Sequence, residues 1–120
     1  MHQTALDYLY RDAANFKAHA TVRLSGTLTP AEIAEVFARC DSGTYFVPEQ
    51  LRLPALQPAL HAFSQGATAA DHALHELVAI RPATAADRRA KLVCSTTLLL
   101  ARLRAVNFWN PLASAATADL

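Results

Sequence analysis

Two imidazoles and two carboxylates fall within six residues of this sequence, and such side chains can bind a metal ion or transfer protons. The segment runs Asp71-His72-Ala-Leu-His75-Glu76. Zinc proteases carry His-Glu-x-x-His or His-x-x-Glu-His on a helix, whereas the order here is His-x-x-His-Glu. The segment also resembles a loop entering a strand, where His72 and His75 would point to opposite faces. A small metal-dependent or acid/base enzyme is therefore the alternative interpretation, and we expect His75 and Glu76 to bond neighbouring strands or a partner.

Aromatic and basic residues share the first two predicted strands, as they do in sheets that bind single-stranded nucleic acid. These residues are Tyr8, Tyr10, Arg11, Lys17, His19 and Arg23. The alternation places both tyrosines on the side of Leu6, away from the charges of the second strand. We expect buried tyrosines and a solvated charged face, rather than a stacking platform.

Basic residues are concentrated in the last third of the chain and suggest a third interpretation, nucleic-acid binding. They are Arg88, Arg89, Lys91, Arg102 and Arg104. Lys and Arg less Asp and Glu gives 5 − 8 = −3 over residues 1–80 and 6 − 2 = +4 over residues 81–120. The chain as a whole carries only +1, so a strong general attraction to nucleic acid is not expected. Attraction between the two parts inside the fold is the simpler prediction.

The sequence predicts no cofactor, no metal and no catalytic nucleophile. Its serines lack a Gly-x-Ser-x-Gly elbow, and the three glycines are too far apart to form a phosphate-binding loop. Cys40 and Cys94 have no metal-binding spacing and are predicted to be buried, reduced thiols. The N-terminal residues have no signal-peptide pattern, and no run of 18 apolar residues occurs. We expect a cytoplasmic protein without membrane contact.

Apolar and polar residues alternate strictly over residues 16–25, which predicts a strand with one buried and one solvent-exposed face. Its buried side would contain Phe16, Ala18, Ala20, Val22 and Leu24. Residues 5–12 alternate in the same way, so the two segments are predicted to form a hairpin of an antiparallel sheet. Further strands are predicted at 73–81 and, with less support, at 44–47 and 92–94.

A capping box predicts a helix over residues 30–40, because Thr29 can cap it, Pro30 suits its first position and Glu32 follows at the third. A short helix is predicted at 58–64. Residues 84–109 allow two arrangements: one long helix starting after Thr84, or a helix to about Lys91, a strand at 92–94 and a second helix capped by Ser95. The second is favoured, because Cys94-Ser-Thr-Thr suits a helix interior poorly and serine is a good cap.

The N-terminal motif Tyr8-Leu-Tyr-Arg-Asp-Ala-Ala-Asn-Phe-Lys17 resembles that of a group of small uncharacterised bacterial proteins. Thr44-Tyr-Phe-Val-Pro-Glu49, Leu53-Pro54, and Asp71 with His75-Glu76-Leu77 extend the likeness over roughly the first 80 residues. The resemblance implies a bacterial or phage origin and a compact α+β unit, and it assigns no activity. It draws attention to Arg11, Asp12 and Lys17, for which a salt bridge closing the hairpin turn is the simpler explanation.

The sequence predicts one α+β domain over residues 1–110, a small mainly antiparallel sheet with helices packed on one face, and a flexible tail at 111–120. The leading function is a non-catalytic protein-binding module, an adaptor or inhibitor that docks on a protein partner or on itself. The segment from Leu98 to Trp109 supports this prediction, because it contains more apolar residues than one buried helix face needs. The candidate binding residues are Arg11, Asp12, Lys17, His75, Glu76, Arg102, Phe108 and Trp109. Nucleic acid is not an expected partner.

Overall fold

A computed structural model of the protein describes residues 2–11, 16–56 and 73–110. These residues form one five-stranded sheet, two α-helices and two short 3-10 turns. The strands are β1 (Gln3–Arg11), β2 (Lys17–Ser25), β3 (Tyr45–Phe46), β4 (His75–Pro82) and β5 (Lys91–Ser95). The helices are α1 (Pro30–Arg39) and α2 (Thr96–Arg104), and the 3-10 turns are Pro48–Leu51 and Ala85–Asp87. The predicted helix at 58–64 and the predicted tail lie outside the described residues.

The sheet has the strand order β3-β4-β1-β2-β5. β1 pairs antiparallel with β2 along its whole length, from Gln3 opposite Ser25 to Arg11 opposite Lys17. β4 pairs antiparallel with β1 and with β3, while β5 lies parallel to β2 at the edge. The predicted α+β class and the mainly antiparallel sheet are therefore confirmed.

One face of the sheet is buried beneath the two helices. Leu6, Tyr8 and Tyr10 of β1 point to this face. The core also contains Val22, Leu24, Val36, Leu77, Leu99 and Leu103. The prediction of buried tyrosines is thus confirmed, whereas the prediction for Phe16 is wrong. Phe16 is 48% exposed, because β2 begins only at Lys17 and the helices cover the far end of that strand.

Helix α1 begins where the capping box predicted. The backbone amide of Glu32 donates to Thr29 Oγ1 at 3.1 Å, and the Thr29 amide donates to Glu32 Oε1 at 2.8 Å. These two bonds satisfy amides that the first helical turn leaves without partners. Val36 is the residue of α1 that is most fully buried against the sheet.

Residues 84–109 adopt the strand-containing arrangement. β5 and then α2 follow one another, and Ser95 Oγ accepts the Leu98 amide at 3.0 Å as the cap of α2. The single long helix is therefore wrong, and the predicted helix before β5 is reduced to the turn Ala85–Asp87. The turn does not continue as a helix, because the chain from Lys91 is extended and Lys91 pairs with Val22 in the sheet.

Ion pairs join the acidic and basic parts of the chain, as their charges predicted. On the outer face of the sheet, Arg81 lies between two carboxylates, with Nε 2.9 Å from Asp7 Oδ2 and Nη1 2.7 Å from Asp87 Oδ2. Asp87 also accepts the Thr84 amide at 2.8 Å. Arg81, followed by the Thr84 amide, holds the pKa of Asp87 well below its ordinary value of 3.8.

The lowered pKa makes the contribution of Asp87 dependent on pH. A carboxylate whose pKa falls on folding stabilises the protein above its unfolded pKa and loses that contribution as the pH drops through its folded pKa. Asp87→Asn should therefore be less stable than the wild type at pH 7, and the difference should shrink below about pH 4. Urea unfolding at pH 7, 5 and 3 measures this difference. Asp41→Asn, at an exposed aspartate, is the control. A gap at pH 3 as large as that at pH 7 would contradict the role of the Asp87 carboxylate.

Candidate functional site

His75, a candidate from the sequence, is a structural residue of the core. Its side chain is 0% exposed and its ring centroid lies 4.9 Å from that of Tyr10. The Leu56 amide donates to Nε2 at 3.0 Å, and Nδ1 lies 2.8 Å from the carbonyl oxygen of Ala73. Because Nε2 accepts, Nδ1 carries the proton and donates to Ala73, so the imidazole is neutral. Both ring nitrogens are therefore engaged in holding the chain on either side of residues 57–72.

Glu76 points to the opposite face of β4 from His75. Its Oε2 lies 3.1 Å from Arg11 Nε, which joins two of the candidate binding residues in an ion pair across β1 and β4. Lys17 is opposite Arg11 in the sheet and exposed. Asp12, Asp71 and His72 lie outside the described residues. Within the described ranges, no group of three or more His, Cys, Asp or Glu side chains is placed to hold a metal ion.

The segment after α2, residues 105–110, is tied back onto the body of the protein, and we call it the C-terminal strap. Gln50 Nε2 donates to the carbonyl oxygen of Phe108 at 3.0 Å, and Gln50 Oε1 accepts the Asn110 amide at 2.8 Å. Trp109 Nε1 donates to the Arg39 carbonyl oxygen at 3.0 Å. The indole also packs edge-on against Phe46, with ring centroids 6.3 Å apart. Gln50 and the Trp109 side chain thus fix the strap from Phe108 to Asn110.

Phe108 itself points into solvent. Its side chain is 71% exposed, the largest fraction among the large apolar side chains of the described residues. It borders a shallow concavity of about 320 Å³, whose other lining residues are Gln50, Arg102, Ala105, Val106 and Asn107. Arg102 is half-buried there and donates from Nη1 to the Leu51 carbonyl oxygen at 3.4 Å. The structure therefore brings Arg102 and Phe108 to one concavity, whereas the side chain of Trp109 packs on the body of the protein against Phe46.

A second feature lies on the same 3-10 turn that supplies Gln50. Both carboxylate oxygens of Glu49 are buried, and neither has a hydrogen-bond partner among the described residues. Tyr8 is close to this carboxylate and donates from its hydroxyl to the Pro54 carbonyl oxygen at 2.6 Å. Burial, followed by the negative charge of Glu49, raises the pKa of Tyr8 above its ordinary value. Tyr8 therefore remains a hydrogen-bond donor to Pro54 and does not titrate near neutral pH.

Glu49 lines an open groove of about 440 Å³ between the turn and the edge strand β5. The other lining residues are Arg52, Leu53, Pro54, Lys91 and Val93. Arg52 has a left-handed backbone, with φ of 56°, at the end of the 3-10 turn. A residue other than glycine pays a small conformational cost there. The groove thus combines an unpartnered carboxylate with two exposed cations.

The two cysteines are free thiols with little reactivity. Burial raises the pKa of Cys40 to about 11, and its Sγ donates to the Val36 carbonyl oxygen at 3.4 Å. Burial also raises the pKa of Cys94. Nucleophilic and metal-binding cysteines are thiolates, so these environments disfavour both roles. Neither cysteine forms a disulfide; Cys40 is buried as predicted, whereas Cys94 is only partly buried.

Comparisons with protein-family models, with curated proteins and with solved structures give no match. The resemblance to small bacterial proteins therefore stays a prediction. In the part of the chain that the structure describes, no helix is long and apolar enough to cross a membrane.

An unpartnered buried carboxylate should cost the protein stability. Replacing Glu49 by glutamine removes the charge and keeps the shape, so Glu49→Gln should raise the free energy of unfolding at pH 7 by about 1 kcal/mol. Urea unfolding measures the change. Glu35→Gln provides the contrast, because the Glu35 carboxylate is paired: Oε2 lies 2.7 Å from Arg39 Nε, and Oε1 lies 2.8 Å from Arg104 Nη2. Loss of that charge should lower the free energy of unfolding. A loss of stability in Glu49→Gln would mean that its carboxylate is paired in solution.

Proposed function

We propose that this protein is a non-catalytic protein-binding module, an adaptor or inhibitor, and that Phe108 anchors its docking surface. The observation that carries the proposal is the exposure of Phe108 on a strap that is held at Phe108 itself and at the two residues that follow it. The side chain is 71% exposed while the Phe108 carbonyl group and Asn110 are bound by Gln50. An isolated exposed aromatic residue is common, but one presented by a fixed backbone is suited to insertion into a partner.

The energetics favour such a role. Burying a phenylalanine side chain contributes about 1.5 to 3 kcal/mol, and an anchor whose backbone is already ordered loses little entropy on binding. A few such buried anchors supply most of the binding free energy in protein interfaces. Gln50, Arg102 and Asn107 surround Phe108 with polar groups that suit the rim of an interface. The proposed occupant of this surface is another protein or a second copy of the chain.

Of the four residues of the alternative enzyme function, the two that the structure describes, His75 and Glu76, do not support it. His75 is enclosed in the core and Glu76 pairs with Arg11 on the other face. Both cysteines have raised pKa values.

The proposed location of the protein is the cytoplasm, as the sequence predicts. The free state of Cys40 and Cys94 agrees with this location, because thiols stay reduced there.

Loss of the anchor should weaken association without unfolding the protein. We expect the wild type to form either a homo-oligomer or a stoichiometric complex with one protein from its native host, as measured by light scattering on a size-exclusion column. Phe108→Ala should weaken that complex about 30-fold or more, the effect of losing a hot-spot side chain. Its melting temperature should stay close to that of the wild type, because the removed side chain is exposed.

Phe16→Ala is the matched control, because Phe16 is 48% exposed and lies just before β2, outside the strap. It should leave the complex unchanged. Equal weakening by the two variants, or a wild type that is monomeric both alone and after isolation from its host, would contradict the proposal.

A further inference from the structure

We propose that the groove beside β5 binds an extended peptide, and that a lysine or arginine side chain of this peptide pairs with Glu49. The inference rests on the proposed function, since it makes the protein partner a peptide with a basic side chain. It uses a different surface from Phe108, however. Three observations carry it: the unpartnered carboxylate, the edge position of β5, and the arrangement of charges in the groove.

Within the described ranges, no group donates a hydrogen bond to the carboxylate of Glu49. Both of its oxygens are buried and neither accepts a hydrogen bond from the part of the chain that the structure describes, although Arg52 and Lys91 line the same groove. Buried polar atoms are nearly always bonded in folded proteins, so an unbonded buried pair of oxygens requires an explanation. A ligand that brings an ammonium or guanidinium group would supply the missing donors and neutralise the charge.

β5 offers the backbone partner for an added strand. It is the last strand of the sheet, and β2 is its only strand partner among the described residues. Lys91 and Val93 of this strand line the groove that contains Glu49. A peptide that pairs with the outer edge of β5 would place alternate side chains on the groove side, one of them above Glu49.

The rim of the groove specifies the neighbours of that basic side chain. Arg52 and Lys91 are both exposed and positive, so they would repel a uniformly basic peptide. Acidic residues two positions before and after the basic one lie on the same side of an extended strand and can meet these cations. The partner class is therefore an extended segment of the form acidic-x-basic-x-acidic.

A synthetic peptide tests the inference directly. The probe is acetyl-Thr-Glu-Val-Lys-Val-Glu-Thr-amide, and its comparison replaces the central lysine by uncharged norleucine. Titration into the ¹⁵N-labelled protein gives both the affinity and the amides that shift. We expect the lysine peptide to bind about tenfold or more tightly than the norleucine peptide, and to shift the amides of residues 91–95.

Protein variants separate the charge from the strand edge. Glu49→Gln should abolish the preference for lysine, while Glu35→Gln, the same change on helix α1, should keep it. Phe108→Ala should also bind the peptide normally, so failure of this inference is distinguishable from failure of the Phe108 surface. Equal binding of the two peptides, a lysine preference that survives Glu49→Gln, or no binding of either peptide at millimolar concentration would overturn the inference.

Discussion

The hydrogen bond from the Leu56 amide to the imidazole of His75 is the contact on which the two candidate surfaces depend. It is buried and 3.0 Å long, and it ties the end of the segment 47–56 to the first residue of β4. A further bond holds the same segment to the sheet, from the Tyr8 hydroxyl to the Pro54 carbonyl oxygen at 2.6 Å. The chain before β3 is held as well, because the Leu77 amide donates to the Thr44 carbonyl oxygen at 2.8 Å. Releasing the segment would leave buried polar groups unpaired, at a cost of about 1 to 3 kcal/mol each.

Glu49 and Gln50 are consecutive residues of one 3-10 turn in this segment, and they contact different parts of the protein. Gln50 points to the C-terminal strap and binds it at Phe108 and Asn110. Glu49 lines the groove beside β5. Pro48 begins the turn and is itself buried, which fixes the direction in which the turn leaves the core. A rigid short turn is therefore the support of both surfaces, and the helices and sheet serve mainly to hold it.

Features encoded by neighbouring residues could be predicted from the sequence. The alternation in β1 and β2, the capping box of α1 and the serine cap of α2 are all local patterns, and each has its expected structure. The parallel pairing of β5 with β2 could not be predicted, because no local signal specifies which distant strand is the partner. The predicted length of the helix before β5 was wrong for the same reason, because pairing with β2 makes the chain extended from Lys91 onward.

The site was predictable only in part. Arg102, Phe108 and Trp109 stood out as an apolar and basic C-terminal segment. The structure places Arg102 and Phe108 at one concavity, while Trp109 anchors the strap to Arg39. His75 stood out by its chemistry, although its environment makes it a core residue. Glu49 had no signal in the sequence, since an acidic residue after a proline is ordinary in an exposed turn. The groove that it lines also contains residues as distant in sequence as Lys91, which only the fold brings near.

The central claim, that Phe108 enters a protein partner, can be tested by photo-crosslinking in the native host. A chain with p-benzoylphenylalanine at position 108 should form one discrete adduct after irradiation, and its mass would tell a second copy of the chain from a different protein. The same group at position 16, on another exposed phenylalanine, should not give that adduct. No adduct at position 108, or the same set of adducts at both positions, would contradict the claim.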